Sequence, residues 1–199
     1  MVTDRSDLRG RLASLASQQG GYFTAAQAQQ LGYNYPQHTF HTARGNWIRV
    51  DRGLYRLPHW PLDRHDDLVR AALWSKGRGV ISHESAATVH ELAEIDPLRT
   101  HVTVPSNFRG NHRALILHRL SDLKESDIDD RGSFQVTNPM RTLIDLGRSG
   151  TDLDQLGQAI REAVQLHLVT LRNLRQQAEL TDLKAALAVE RALLEVDLR

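Results

Sequence analysis

The feature that most limits how this chain can fold lies between residues 47 and 57. There Trp47-Ile48-Arg49-Val50 and Leu54-Tyr55-Arg56-Leu57 flank Asp51-Arg52-Gly53. A three-residue connection with glycine where a left-handed conformation is required specifies a β-hairpin. The residues before it specify helices. Leu8, Leu12 and Leu15 recur at i, i+4 and i+7 ahead of Gly20-Gly21, so an amphipathic helix is expected over 8–19. Thr24 and Gln27 make a capping-box pattern, with Phe23 and Ala28 at staple positions and Gly32 as the stop, which gives a second helix of about two turns. Pro36 suits a first helical position, and the third helix it opens runs until Gly45. At about 100° per residue Pro36, Thr39, Phe40 and Ala43 share one face of that helix. This puts Gln37, His38, His41 and Thr42 on an opposite, polar, outward face, with Arg44 at its border.

Three short helices followed by a basic hairpin is the order of a winged helix-turn-helix, in which the third helix enters the major groove and the hairpin lies over backbone. The charge supports that use. Net charge is only +1, but the first sixty residues carry seven arginines against three aspartates and no lysine. Arginine suits bidentate contacts with phosphate or guanine, although a preference for arginine also follows from a GC-rich genome. The expected DNA contacts are Gln37, His38, His41, Thr42 and Arg44 from the third helix, with Arg49, Arg52 and Arg56 from the hairpin. A helix-turn-helix used for protein contact is the alternative, because fold alone does not establish function.

Two segments carry a resemblance. The run Tyr22-Phe23-Thr24-Ala25-Ala26-Gln27-Ala28, with Arg49-Val50-Asp51-Arg52-Gly53-Leu54-Tyr55-Arg56-Leu57, resembles the winged-helix module of AbiEi-type antitoxins of bacterial toxin-antitoxin pairs. Val136-Thr137-Asn138-Pro139-Met140-Arg141-Thr142-Leu143-Ile144-Asp145-Leu146 is similar to a segment of their second domain. The resemblance frames residues 8–147 and is only generic over the last fifty. It implies a repressor that binds double-stranded operator DNA of its own operon and counters a cognate nucleotidyltransferase-like toxin, whether or not the two touch.

Beyond the hairpin, Leu57-Pro58-His59-Trp60-Pro61 is the best linker. The expected organisation is therefore α+β: a winged helix-turn-helix over 1–60, then a mixed α/β domain over 61–199 with C-terminal helices from about 150. Helices are expected over 63–76 and, capped by Ser82, through Leu92. Short strands are expected at 102–104, 114–117 and 134–137. Asn138-Pro139 opens a helix that turns Leu143 and Leu146 inward and spaces Arg141 and Asp145 as i, i+4, either a helix-surface ion pair or a site. From Asp152 the pattern is wholly helical. The last helix, 183–196, is apolar nearly all round, with Leu187, Val189, Leu193, Leu194 and Val196, and should be buried against its own domain or a partner.

Catalytic and metal patterns fail. With no cysteine there is no disulfide, thiolate site or iron-sulfur cluster. His83-Glu84 suggests a zinc-protease helix, but position 87 is Ala87, and His90 lies two turns on, about 10 Å away. Capping or solvated roles are expected for these histidines. Asp127, Asp129 and Asp130 precede Gly132-Ser133, whereas nucleotidyltransferases place their aspartates after Gly-Ser, so a solvated turn is expected there. Lys76-Gly77-Arg78-Gly79 lacks the spacing and ending of a phosphate loop. A nuclease domain would need an Asp and a Glu-x-Lys on a metal, and no Glu-x-Lys follows residue 147. The sequence therefore leads to a non-enzymatic protein with no catalytic residue, metal or cofactor. Asp and Arg near the N-terminus, where a signal peptide needs an apolar core, lead to a cytoplasmic location without a membrane partner. If the chain forms a homodimer on DNA, its operator repeats or inverts a half-site. The second reading is a protein-interaction module that neutralises a toxin by contact without DNA.

Overall fold

The computed structural model describes residues 5–121 and 123–195. The chain divides into two compact units, one reaching Gly77 and including Gly132–Phe134, the other containing Arg78–Arg131 and the residues from Gln135 onward.

The first unit begins with α1 (Arg5–Ser17), followed by a short strand β1 (Tyr22–Thr24) that the sequence pattern does not announce. Next come α2 (Ala25–Leu31), α3 (Tyr35–Ala43), the hairpin β2 (Ile48–Asp51) and β3 (Leu54–Arg56), and α4 (Asp66–Trp74). The three strands form an antiparallel sheet in the order β1-β3-β2. This is the architecture of a winged helix. Both capping boxes are made: Thr24 accepts from the Gln27 amide, and Asn34 accepts from the Gln37 amide at 3.0 Å while the Gln37 side chain accepts from the Asn34 amide. Such caps satisfy helix N–H groups that otherwise lack partners. The core joins Leu8, Leu12 and Ala16 of α1 to Phe23, Tyr33, Trp47 and Tyr55. Phe23 meets Trp47 edge-on at 5.0 Å and stacks on Tyr55 at 5.7 Å. Pairs of this kind are worth about 0.5–1.5 kcal/mol each beyond their buried area. Gly21 has φ +83, and a Cβ there would fall 2.3 Å from Cγ of Trp60, so only glycine fits.

The second unit holds a five-stranded sheet in the order β6-β5-β4-β8-β7. Its strands are β4 (Val80–Ile81), β5 (Thr100–Pro105), β6 (Leu115–Leu120), β7 (Ile128–Asp130) and β8 (Gln135–Thr137). β5 and β6 run parallel, with Thr103 opposite His118. The helices are α5 (His83–Val89), α6 (Pro139–Ser149), α7 (Leu153–Gln165), α8 (Leu171–Thr181) and α9 (Leu183–Glu195). Leu143, Leu146, Leu156, Ile160 and Leu174 form a hydrophobic core with Val189 and Leu193 of α9. Thus α9 is buried on one stripe against its own unit, while Leu183, Leu187 and Leu194 stay exposed. Val196 lies outside the described residues. Among the described residues no helix is long and apolar enough to cross a membrane.

The aspartates of 127–130 are not a free turn. Asp127 ends a 3-10 turn, Glu125–Asp127, and β7 pairs with β8. Asp127 accepts from Arg141 at 3.1 Å, and Arg141 also donates through Nε to Asp145 at 2.9 Å. Of the two roles the spacing leaves open, ion pair or site, the structure shows an ion pair, but a buried one, since α6 turns Arg141 and Asp145 inward beside Leu143 and Leu146.

Candidate functional site

The structure reverses the expected faces of α3. Pro36, Thr39, Phe40 and Ala43 are exposed, Phe40 by 53%, and Tyr35 beside them by 73%. The opposite face packs inward. His38, expected at the bases, is only 2% exposed and sits between Tyr35, Trp47 and Tyr55, with ring centroids 5.4–6.0 Å away. His41 stacks on Trp47 at 4.7 Å, and the Thr42 hydroxyl donates to the His38 carbonyl at 2.8 Å. Gln37 is spent on the capping box. The physical reason is that an imidazole ring, when neutral, packs as an aromatic. Burial pushes the pKa values of both His38 and His41 down, which keeps the rings uncharged within that cluster.

Of the expected arginines, Arg44, Arg49 and Arg52 are exposed. Arg44 lies over the Phe40 ring at 5.5 Å from its centroid, at the C-terminal end of α3. Arg49 is on β2, and Arg52 occupies the tip of the hairpin, where its amide donates to the Asp51 carboxylate. Arg56 differs from the expectation. It donates to the Trp60 carbonyl and lies over the Tyr22 ring, so its half-buried guanidinium is engaged within the unit instead of displayed.

A second constellation, in the other unit, has no sequence signature. His83 begins α5, His101 is on β5 and His118 on β6, and one nitrogen from each ring lies within 4.8 Å of the others. His83 is buried, so its expected capping or solvated role is corrected, as is that of His90, which is buried and bonded to the Thr137 carbonyl at 2.7 Å. Burial pushes His83 down to about 3 and His118 to about 4. Glu84, 2.6 Å from His101 Nδ1, is held near 2 against the effect of its own burial by the hydrogen bond to His101. The parallel register of β5 and β6 sets His101 and His118 near each other and the packing of α5 adds His83, so local spacing could not have revealed them.

Comparison with known proteins gives three findings. No curated protein matches the chain. Among solved structures, the RV2827C protein from Mycobacterium tuberculosis superposes with a TM-score of 0.60 at 12% identity, over 94% of this chain and 80% of that one, a likeness of fold. The winged-helix segment, residues 11–58, matches the family model described as transcriptional regulator, AbiEi antitoxin.

Proposed function

We propose that the chain is an antitoxin-type transcriptional regulator whose first unit binds double-stranded operator DNA. The observation that carries this reading is the set of exposed arginines, Arg44, Arg49 and Arg52, at the end of α3 and along the hairpin of a winged helix. It is supported by the match of residues 11–58 to a regulator model. In this reading α3 enters the major groove with its exposed face. Thr39 and Arg44 offer polar contacts to base edges, and Phe40 and Ala43 offer apolar contact to thymine methyls. Arg49 and Arg52 engage phosphate and set the salt dependence. Gln37, His41 and Thr42 act by fixing the helix through its cap, its ring stack and its hydroxyl bond, and Arg56 by anchoring the end of the hairpin.

The regulator represses its own operon and counters a nucleotidyltransferase-like toxin in the same reading. The second reading, a protein-contact module, draws on Tyr35, Phe40 and Ile48, apolar side chains displayed by α3 and β2. One experiment separates the two. The triple variant R44A/R49A/R52A is compared with the wild type for repression of a reporter behind its own upstream DNA and for protection against the product of the adjacent toxin gene. Loss of repression with protection retained supports DNA binding together with contact neutralisation. Repression retained by the triple variant refutes the DNA-binding role of these arginines.

A further inference from the structure

The geometry points to a metal site in the second unit: we propose that His83, His101 and His118 hold one divalent transition-metal ion of the zinc class, with a coordination position left open to the adjoining cleft. Three imidazoles from one helix start and two parallel strands converge here. The His83 and His118 rings are stacked, with centroids 3.5 Å apart and planes 12° from parallel, and the His101 ring centroid is 5.2 Å from that of His118. Zinc–nitrogen bonds of about 2.0–2.1 Å in a tetrahedron set ligand nitrogens about 3.4 Å apart. Nitrogens already within 4.8 Å of one another reach that spacing once the stacked rings of His83 and His118 turn so that their in-plane lone pairs converge. The rings are also held from behind. His83 Nδ1 is 2.9 Å from Ser82 Oγ, which in turn accepts from Thr103 Oγ1 at 2.8 Å, and Glu84 grips His101. A carboxylate on a ligating histidine is the usual outer support of such sites.

One further observation points to a ligand. A cleft of about 230 Å³ opens beside His83 and His118, lined also by Asp145, Arg119 and Arg148. The Asp145 side chain is only 4% exposed, and its Oδ2 has no hydrogen-bond partner. A buried carboxylate oxygen without a donor is costly, so the cleft presents an unmet acceptor to whatever ligand occupies it. The site lies wholly within the second unit and does not depend on the DNA-binding reading.

The test uses untagged full-length protein stripped with chelator and titrated with Zn²⁺ alone by calorimetry. One equivalent per chain is expected, accompanied by a rise in Tm. The double variant H101Q/H118Q, checked by circular dichroism, should lose that equivalent, and E84Q should bind about 10–100-fold more weakly. Titration of the wild type with Co²⁺ provides a readout independent of any variant's folding, through the intense visible bands of a low-coordinate ion. Absence of the zinc equivalent, its persistence in H101Q/H118Q, or only the pale spectrum of six-coordinate cobalt would overturn the site.

Discussion

Truncation of His38 separates the packing of α3 from its use. The side chain is 2% exposed and surrounded by Tyr35, Trp47 and Tyr55, so His38→Ala removes a ring from a closed aromatic cluster. Buried Phe or Trp truncations cost about 3–5 kcal/mol. Imidazole is smaller and already carries a desolvation cost, so the loss here is set at about 2–3 kcal/mol. For a domain of roughly 60–100 residues each kcal/mol moves Tm by about 4–8 °C, which gives a fall of about 10–20 °C. His38→Phe keeps the ring and removes the polar nitrogens, and an apolar group of similar shape is close to neutral in such a site. The assay is convenient because Trp47, Trp60 and Trp74 all lie in the first unit, so tryptophan fluorescence during urea unfolding reports that unit alone. The pH dependence has a definite sign. The folded pKa of His38 is below its unfolded value of 6.5, so its neutral ring supports the fold fully above that pH, and the support declines as pH falls below it. H38F should flatten this decline, leaving the share from His41, whose pKa is lowered in the same direction. An H38A protein as stable as the wild type, or an H38F protein that folds normally yet loses discrimination between operator and random DNA, would refute the inward packing.

The other expectations concern the hairpin, one glycine and one buried pair. Arg52→Ala should weaken binding to all duplexes alike and lower the slope of log K against log salt by about one, measured by fluorescence anisotropy. A base-specific loss would instead give Arg52 a part in reading sequence. Gly21→Ala forces a Cβ into the Trp60 ring at φ +83 and should cost about 2–4 kcal/mol by urea titration of tryptophan fluorescence, combining strain and overpacking. An unchanged midpoint would contradict the close approach. Arg141→Met leaves Asp145 and Asp127 without their guanidinium and should cost about 3–5 kcal/mol, measured by thermal unfolding. Substituting Asp145 by Leu in the same chain should recover much of the loss, and no recovery would show that the pair is not the source.

The legible parts of this fold were those written in local chemistry. Thr24 with Gln27, Pro36 and the Asp51-Arg52-Gly53 turn each dictate a backbone conformation by themselves, and the helices and hairpin appear where these residues place them. β1 was not legible, because three residues ahead of a capping box become a strand only by pairing with β3, thirty residues on along the chain. The face of α3 was inverted because polarity scales count histidine with glutamine. In this core His38 and His41 are aromatic rings packed on Trp47, and Phe40 is left outside. Arg141 and Asp145 had the spacing of a surface pair, and only the packing of α6 shows that both are buried. The histidine cluster needed the register of two strands, a non-local fact that residue spacing cannot carry.

The most direct test of the central claim is equilibrium binding of the full-length protein to its own upstream DNA and to a scrambled duplex of equal length, titrated across salt. The account predicts a complex with the upstream sequence at least about 10³-fold tighter than with the scrambled one, both weakening steeply with salt. Equal affinity for the two duplexes, or no binding to either at low salt, would contradict it and turn the exposed face of α3 into a protein-contact surface.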